Sequence, residues 1–77
     1  MLITEADRNK VFEVLELEEE QGASFNWIVD DTGLDFAMVR RIIAEGIESG
    51  DIIVAYKNYF GRSIYKSIRP SIKRETK

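Results

Sequence analysis

The sequence predicts an α+β domain in which three helices precede a β-hairpin. Cap residues followed by apolar residues at helical spacing occur three times before residue 50. A run rich in β-branched and aromatic residues, 52–57, then leads through a glycine-bearing turn into a second strand-like run, 62–68. The 77 residues are enough for one small domain, so we expect these five elements to share one core.

The first predicted helix begins at the N-cap Thr4 and runs to about Glu18. Its apolar face consists of Val11, Phe12, Val14 and Leu15. We expect the helix to fray over the acidic residues 18–20, which are unfavourable at a helix C-terminus, and to stop at Gly22. That acidic run is either a solvated helix end or a site for a partner.

The second predicted helix is short and runs from Phe25 to Asp31 behind the N-cap Ser24. Its buried face is Phe25, Ile28 and Val29, and helical geometry turns Trp27 away from that face. Trp27 and Leu17 could form an exposed apolar interface for a dimer mate or another protein. Alternatively, Trp27 folds back over helix 1 or the C-terminal strands and closes the core. We prefer this second interpretation, because a small domain uses every large aromatic side chain.

The third predicted helix, 36–49, lies between a turn at Gly33 and a stop at Gly50. Asp35 is the expected N-cap, with its carboxylate accepting from backbone N–H groups of the first turn. The helix has one apolar stripe, formed by Val39, Ile42, Ile43 and Ile47.

The opposite face of helix 3 combines small residues with two arginines. It consists of Ala37, Arg40, Arg41 and Ala44, with Met38 at its edge. A slim cationic surface of this kind suits contact with a polyanion, although Arg40 and Arg41 could instead pair with Glu45 or Glu48. Gly46 costs about 1 kcal/mol relative to alanine within a helix, so we expect another helix, helix 1, to approach closely there.

The predicted hairpin carries cations and hydrogen-bond donors at its tip and flanks. These residues are Lys57, Asn58, Tyr59, Arg62 and Lys66, around a turn at residues 58–61. They could hold phosphates or enter a minor groove, and they could also protect an exposed edge strand from aggregation. The strand register, and with it the burial of Tyr56, Phe60 and Tyr65, is left open.

These motifs resemble the second helix of the helix-turn-helix in winged-helix transcription regulators. The resemblance lies in Gly33-Leu34-Asp35, then Val39, Arg41, Ile43 and Gly50-Asp51-Ile52. The family often has Ser at the cap, Thr before the Val, and a large aliphatic where this chain has Gly46. The resemblance implies a three-helix winged helix-turn-helix with a C-terminal β-hairpin wing over residues 1–68. The basic composition after it predicts a flexible tail, 69–77.

The resemblance also implies a function: duplex DNA binding in transcription regulation. Helix 3 would enter the major groove with Ala37, Met38, Arg40 and Arg41, and the wing residues Lys57, Asn58, Tyr59, Arg62 and Lys66 would hold the backbone. This hypothesis requires that the arginine pair face the hairpin and stay out of an ion-pair cluster with the chain's own carboxylates. The alternative is a protein–protein module without DNA binding, docking to a polymerase or another regulator, with Leu17 and Trp27 at the interface.

The charge distribution is uneven along the chain. The net charge is −3, yet residues 1–35 carry two basic and ten acidic residues, whereas residues 36–77 carry nine basic and four acidic ones. The halves therefore differ in sign, at −8 and +5. Such asymmetry suggests a basic binding face, although a small domain can acquire it by chance.

The composition favours a non-enzymatic protein without cofactors. The chain has no histidine and no cysteine, which removes the commonest bases, nucleophiles and metal ligands. Asp30 and Asp31 are adjacent on a helix and cannot form a paired-carboxylate site, and the glycines form no phosphate loop. No segment resembles a membrane span or signal peptide, so we expect a cytoplasmic protein, associated with the nucleoid if it binds DNA, without a metal, a small-molecule substrate or a membrane contact.

Overall fold

The computed structural model describes residues 2–68, and these form three helices and a three-stranded antiparallel sheet. The elements are α1 (Glu5–Leu17), β1 (Ala23–Ser24), α2 (Phe25–Thr32), α3 (Phe36–Ser49), β2 (Ile52–Lys57) and β3 (Ser63–Ser67). The strand order is β1-β3-β2. The predicted α+β class, the three helices and the hairpin are confirmed. The predicted tail, 69–77, lies outside the described residues.

The helix starts follow from local capping, and all three predicted N-cap residues are confirmed, but one of them makes no capping bond. Thr4 accepts from the backbone N–H of Asp7, whose carboxylate accepts from the N–H of Thr4, so a full capping box starts α1. Ser24 caps α2 by accepting from the N–H of Trp27. Asp35 occupies the N-cap position of α3, but its side chain makes no capping hydrogen bond.

The turn between α2 and α3 is organised by Thr32 and Gly33. The Thr32 hydroxyl donates to the carbonyl of Ile28 and accepts from the N–H of Leu34. Gly33 closes α2 in the left-handed region at φ 71°, which costs glycine little because it lacks Cβ. The Thr32 hydroxyl thus links the last turn of α2 to the start of the three-residue connection.

The core lies between the helices and the root of the sheet. The predicted apolar face of α1 is fully confirmed, and Ile28 and Ile52 join it from α2 and β2. The α3 stripe is confirmed at Val39, Ile42 and Ile43, but Ile47 is 43% exposed. The exposed side of Ile47 belongs to a surface groove that also contains Arg40.

The two-residue strand β1 was absent from the sequence prediction. Ala23 pairs with Tyr65 and Ser24 pairs with Ile64. This short pairing ties the connection between α1 and α2 to β3, and it places β3 in the centre of the sheet. Strand β2 is therefore an edge strand, irregular between Val54 and Tyr56.

Gly46 packs against the sheet rather than against helix 1. A Cβ on residue 46 would lie 2.7 Å from Cγ1 of Ile52, which is 1% exposed. The expectation of a close contact with helix 1 is wrong, because the chain turns at Gly50 and brings β2 back onto α3. The missing side chain makes room for Ile52.

We expect Gly46→Ala to lower the free energy of unfolding by about 1 kcal/mol, or the melting temperature by about 4–8 °C. Overpacking costs about 1–3 kcal/mol, which exceeds the roughly 1 kcal/mol gained in helix propensity. Urea unfolding of Gly46→Ala alone and in an Ile52→Ala background measures the coupling. The glycine substitution should cost nothing in that background, and an equal cost in both would refute the steric explanation.

Candidate nucleic-acid interface

The outer face of α3 has the predicted composition at four of five positions. Ala37, Arg40, Arg41 and Ala44 are exposed. Met38 is half-buried and packs against the core, so its side chain is directed partly inward rather than toward a ligand. The face that α3 offers to a partner therefore consists of two alanines and two arginines.

Arg41 is held in an ion-pair cluster with the chain's own carboxylate. Its Nε lies 3.4 Å from Oε2 of Glu45, and Nη2 of Arg8 lies 3.3 Å from Oε1 of the same side chain. The side chain of Arg41 is nevertheless 63% exposed. The pairing that the sequence left open is therefore present at Arg41, so the requirement that both arginines stay out of an ion-pair cluster is not met at this residue. With two arginines and two glutamates, α3 is neutral.

Arg40 is positioned by aromatic rings instead of by a carboxylate. Its guanidinium carbon lies 5.1 Å from the ring centroid of Phe36 and 6.0 Å from that of Phe25. The two rings meet edge to face with their centroids 4.6 Å apart. Such cation–π contacts at exposed sites are worth about 0.5–1 kcal/mol. They orient the cation without neutralising it.

Arg40 lies in a groove that joins α3 to the central strand. We call this the Arg40 groove; it is lined by Phe25, Phe36, Arg40, Ile43, Ala44, Ile47 and Tyr65. Tyr65 belongs to β3, so the groove is the place where the outer face of α3 meets the hairpin. Apart from Arg40, its side chains are apolar or aromatic.

The strand register places Lys57 on the same side of the hairpin as the Arg40 groove. Lys57 pairs with Ser63, and Ser63 and Tyr65 lie two residues apart on β3, so their side chains share one face of the sheet. The side chain of Lys66 lies on the opposite face of the sheet, because neighbouring strand residues alternate. It is half-buried and lies beside Gly22 at the root of the hairpin. The structure thus brings Arg40 and Lys57 to one side and separates Lys66 from them.

The hairpin tip, residues 58–61, is a well-defined turn that presents two aromatic rings to solvent. The Asn58 side-chain oxygen accepts from the N–H groups of Phe60 and Arg62. Tyr59 is 96% exposed and Phe60 78% exposed. Asn58 therefore shapes the turn, while Lys57 at the end of β2 and Arg62 just before β3 flank it.

Trp27 does not close the core as preferred from the sequence. It remains 51% exposed and lines a shallow hollow with Tyr56, Asn58 and Ile64. The Tyr56 hydroxyl donates to the carbonyl of Gln21 at 2.9 Å, which links the hairpin to the connection after α1. Trp27 therefore lies beside the C-terminal strands, as the preferred interpretation allowed, but stays half-exposed instead of completing the core.

Leu17 is 80% exposed at the end of α1. It lines a separate hollow with the acidic residues that follow it, and the Leu17 and Trp27 hollows share only Glu18 and Gln21 among their lining residues. The two predicted interface residues are therefore neighbours of a common loop rather than one apolar patch.

The described residues offer no arrangement for metal binding or for crossing a membrane. Within residues 2–68 there is no group of three or more Asp and Glu side chains placed to hold a metal ion. No helix in that part of the chain has the length and apolar character that a bilayer crossing requires.

One feature of the interface escaped the sequence analysis although a spacing signal existed for it. Phe36 and Arg40 are four residues apart on α3, and residues at this spacing are neighbours on a helix surface. The contribution of Phe25 to the Arg40 site had no such signal, because it depends on how α2 packs against α3.

Comparison with known proteins finds no matching protein-family model, no matching curated protein and no matching solved structure. The functional argument therefore rests on the residues and geometry of this chain.

Proposed function

We propose that this protein is a winged helix-turn-helix module that binds duplex DNA and serves transcription regulation. In this proposal α3 lies in the major groove, and the β2–β3 hairpin is the wing. One observation carries it: Tyr65 lines the Arg40 groove, and the strand register puts Lys57 on the face of the sheet that Tyr65 occupies. A helix and a ribbon that present cations together suit a single anionic rod.

The hairpin is basic although the described part of the chain is acidic overall, and this local charge supports the proposal. Residues 2–68 contain seven basic and thirteen acidic side chains, a net charge of −6. Residues 52–68 contain three basic side chains and no carboxylate. Because salt screens charges beyond about 8–10 Å, a phosphate near the hairpin tip responds mainly to Lys57 and Arg62.

Arg41 does not meet the requirement that it stay out of an ion-pair cluster, so the proposal depends on its pair with Glu45 being weak enough to exchange. An exposed pair at this helical spacing contributes about 0.3–0.5 kcal/mol, whereas a bidentate arginine–guanine contact contributes about 1–3 kcal/mol of discrimination. Arg41 can therefore exchange Glu45 for DNA. Glu45 lowers the net attraction of α3 for phosphate and does not abolish it.

The proposal is tested by titrating a fluorescent mixed-sequence duplex of about 20 base pairs with the protein at several salt concentrations. Binding to phosphates makes the affinity fall with salt, by about 0.9 log units per log unit for each phosphate neutralised. We expect such a dependence. Absence of duplex binding at about 50 mM salt would contradict the proposal.

We expect Glu45→Gln to raise the duplex affinity by about threefold to tenfold, because it frees Arg8 and Arg41 and removes a negative charge beside phosphates. Glu48→Gln is the matched control, since it removes the same charge from α3 and leaves the Arg8–Glu45–Arg41 ion pairs intact. The two variants are compared in the same titration. Equal affinities for the two variants would show that the Glu45 ion pairs do not restrain binding.

A second candidate function, docking of another protein, is favoured by the apolar lining of the Arg40 groove. Phe36 and Ile47 are each more than two-fifths exposed there, and α3 carries no net charge. An apolar groove with a single cation suits an apolar segment that carries a carboxylate. Failure of the duplex titration would leave this as the better supported function.

A further inference from the structure

The hairpin tip presents an unusual pair of adjacent, exposed aromatic side chains. Tyr59 and Phe60 are 96% and 78% exposed, and their rings meet edge to face with centroids 5.4 Å apart. Single exposed apolar residues are common on proteins. Two neighbouring rings that pack mainly on each other at the end of a projecting hairpin form a surface suited to contact with a partner.

Hydrogen bonds fix the backbone of the turn that carries these rings. Besides the two hydrogen bonds accepted by the Asn58 side chain, the N–H of Gly61 donates to the carbonyl of Asn58, and the N–H of Asn58 donates to the carbonyl of Arg62. Gly61 has a φ of 81°, which is accessible to glycine at little cost. A turn with this many internal hydrogen bonds loses little conformational freedom when its tip is buried by a partner.

The charges around the rings indicate the chemistry of that partner. Lys57 ends β2 and Arg62 precedes β3, so a cation stands on each side of the aromatic pair, and no carboxylate occurs between Ile52 and Ile68. A partner that fits must offer flat apolar surfaces between two rows of negative charge. The stacked bases of a duplex, flanked by its phosphates, meet both requirements.

We propose that Tyr59 and Phe60 form an aromatic wedge that enters a groove of duplex DNA and partly unstacks one base step, while Lys57 and Arg62 hold the flanking phosphates. This inference rests on the proposed DNA-binding function and adds a deformation of the DNA to it. Apolar wedges of this kind kink DNA and favour steps that are easily unstacked.

The test compares two fluorescent duplexes of the same length that differ only in a central two-base mismatch, which weakens stacking in advance. We expect the wild-type protein to bind the mismatched duplex about tenfold more tightly. Tyr59→Ser and Phe60→Ser should each reduce this preference to about twofold or less, whereas Tyr59→Phe, which keeps the ring, should retain it. Energy transfer between dyes at the duplex ends should report a bend with wild type and not with the two serine variants.

The outcomes separate this inference from the proposed function. Binding to neither duplex would remove both. Equal, salt-dependent binding of wild type to both duplexes, or an undiminished preference in the serine variants, would overturn the wedge and leave DNA binding in place. If the serine variants instead lose binding to phosphatidylserine vesicles while both duplex affinities stay unchanged, the tip is a membrane contact and the wedge is wrong.

Discussion

Replacing Lys57 and Arg62 together with glutamine is expected to lower the duplex affinity about 200-fold at about 50 mM salt. Each phosphate contact contributes about 0.9 to the slope of log affinity against log salt, so two lost contacts reduce the slope by about 1.8. The contribution of phosphate contacts to the affinity vanishes at about 1 M salt. Between about 1 M and about 50 mM salt, a slope difference of about 1.8 therefore becomes a difference of roughly two log units in affinity. Anisotropy titrations over this salt range measure both quantities.

Lys66→Gln is the matched control for the Lys57 and Arg62 substitutions. It removes the same type of charge from the same hairpin, but Lys66 lies four residues beyond Arg62 on β3. At about 3.3 Å per strand residue that separation is about 13 Å, which exceeds the screening length. We expect an effect of threefold or less. If Lys66→Gln lowered the duplex affinity as much per removed charge as the double substitution does, the hairpin tip would not be the DNA contact.

Among the possible Gly→Ala substitutions within residues 2–68, we expect Gly22→Ala to lower the free energy of unfolding most. Residue 22 has a φ of 81°, and a Cβ there would lie 2.6 Å from Cγ2 of Ile64 and 2.9 Å from the carbonyl oxygen of Tyr65. The left-handed conformation costs a side-chain-bearing residue about 1–2 kcal/mol, and the overlap costs about 1–3 kcal/mol more. A loss of about 3 kcal/mol corresponds to a fall in melting temperature of about 12–24 °C.

Gly33→Ala separates the cost of the left-handed conformation from the cost of steric overlap. Residue 33 has a φ of 71°, but a Cβ there would meet no atom within 4 Å, so only the conformational cost of about 1–2 kcal/mol remains. Thermal unfolding of both variants, followed by circular dichroism, gives the difference. Equal melting temperatures would show that the close approach of residue 22 to β3 contributes nothing.

The helix and strand limits were largely predictable because they depend on local chemistry. Thr4 and Ser24 are caps whose hydrogen bonds form within three residues of chain, and Gly33 and Gly50 have the positive φ expected of helix ends. Asp35 occupies the N-cap position predicted for it, but its carboxylate makes no capping hydrogen bond. Sequence patterns identify a candidate cap without showing which neighbour makes the bond.

The missed features depend on contacts between distant segments. Strand β1 has two residues, and it exists because residues 23 and 24 reach β3 some forty positions later. The contact of Gly46 with Ile52 requires the chain to reverse at Gly50. The exposure of Trp27 depends in the same way on where the hairpin lies.

The candidate interface shows the same division between local and long-range information. Periodicity predicted the exposure of Arg40 and Arg41, and the i,i+4 spacing allowed the pairing of Arg41 with Glu45. The face occupied by each hairpin residue could not be predicted, because the irregularity between Val54 and Tyr56 changes the alternation along β2. Lys57 and Lys66 therefore looked equivalent in sequence and differ in the fold.

Amide chemical shifts of the isotopically labelled protein during titration with a mixed-sequence duplex test the proposed function most directly. We expect the largest changes at Arg40 and Arg41 on α3 and at residues 57–62 of the hairpin, with small changes at Leu17. If the duplex causes no shift changes at about 50 mM salt, or shifts only residues around Leu17 and Trp27, then the surface formed by α3 and the hairpin is not a DNA-binding surface.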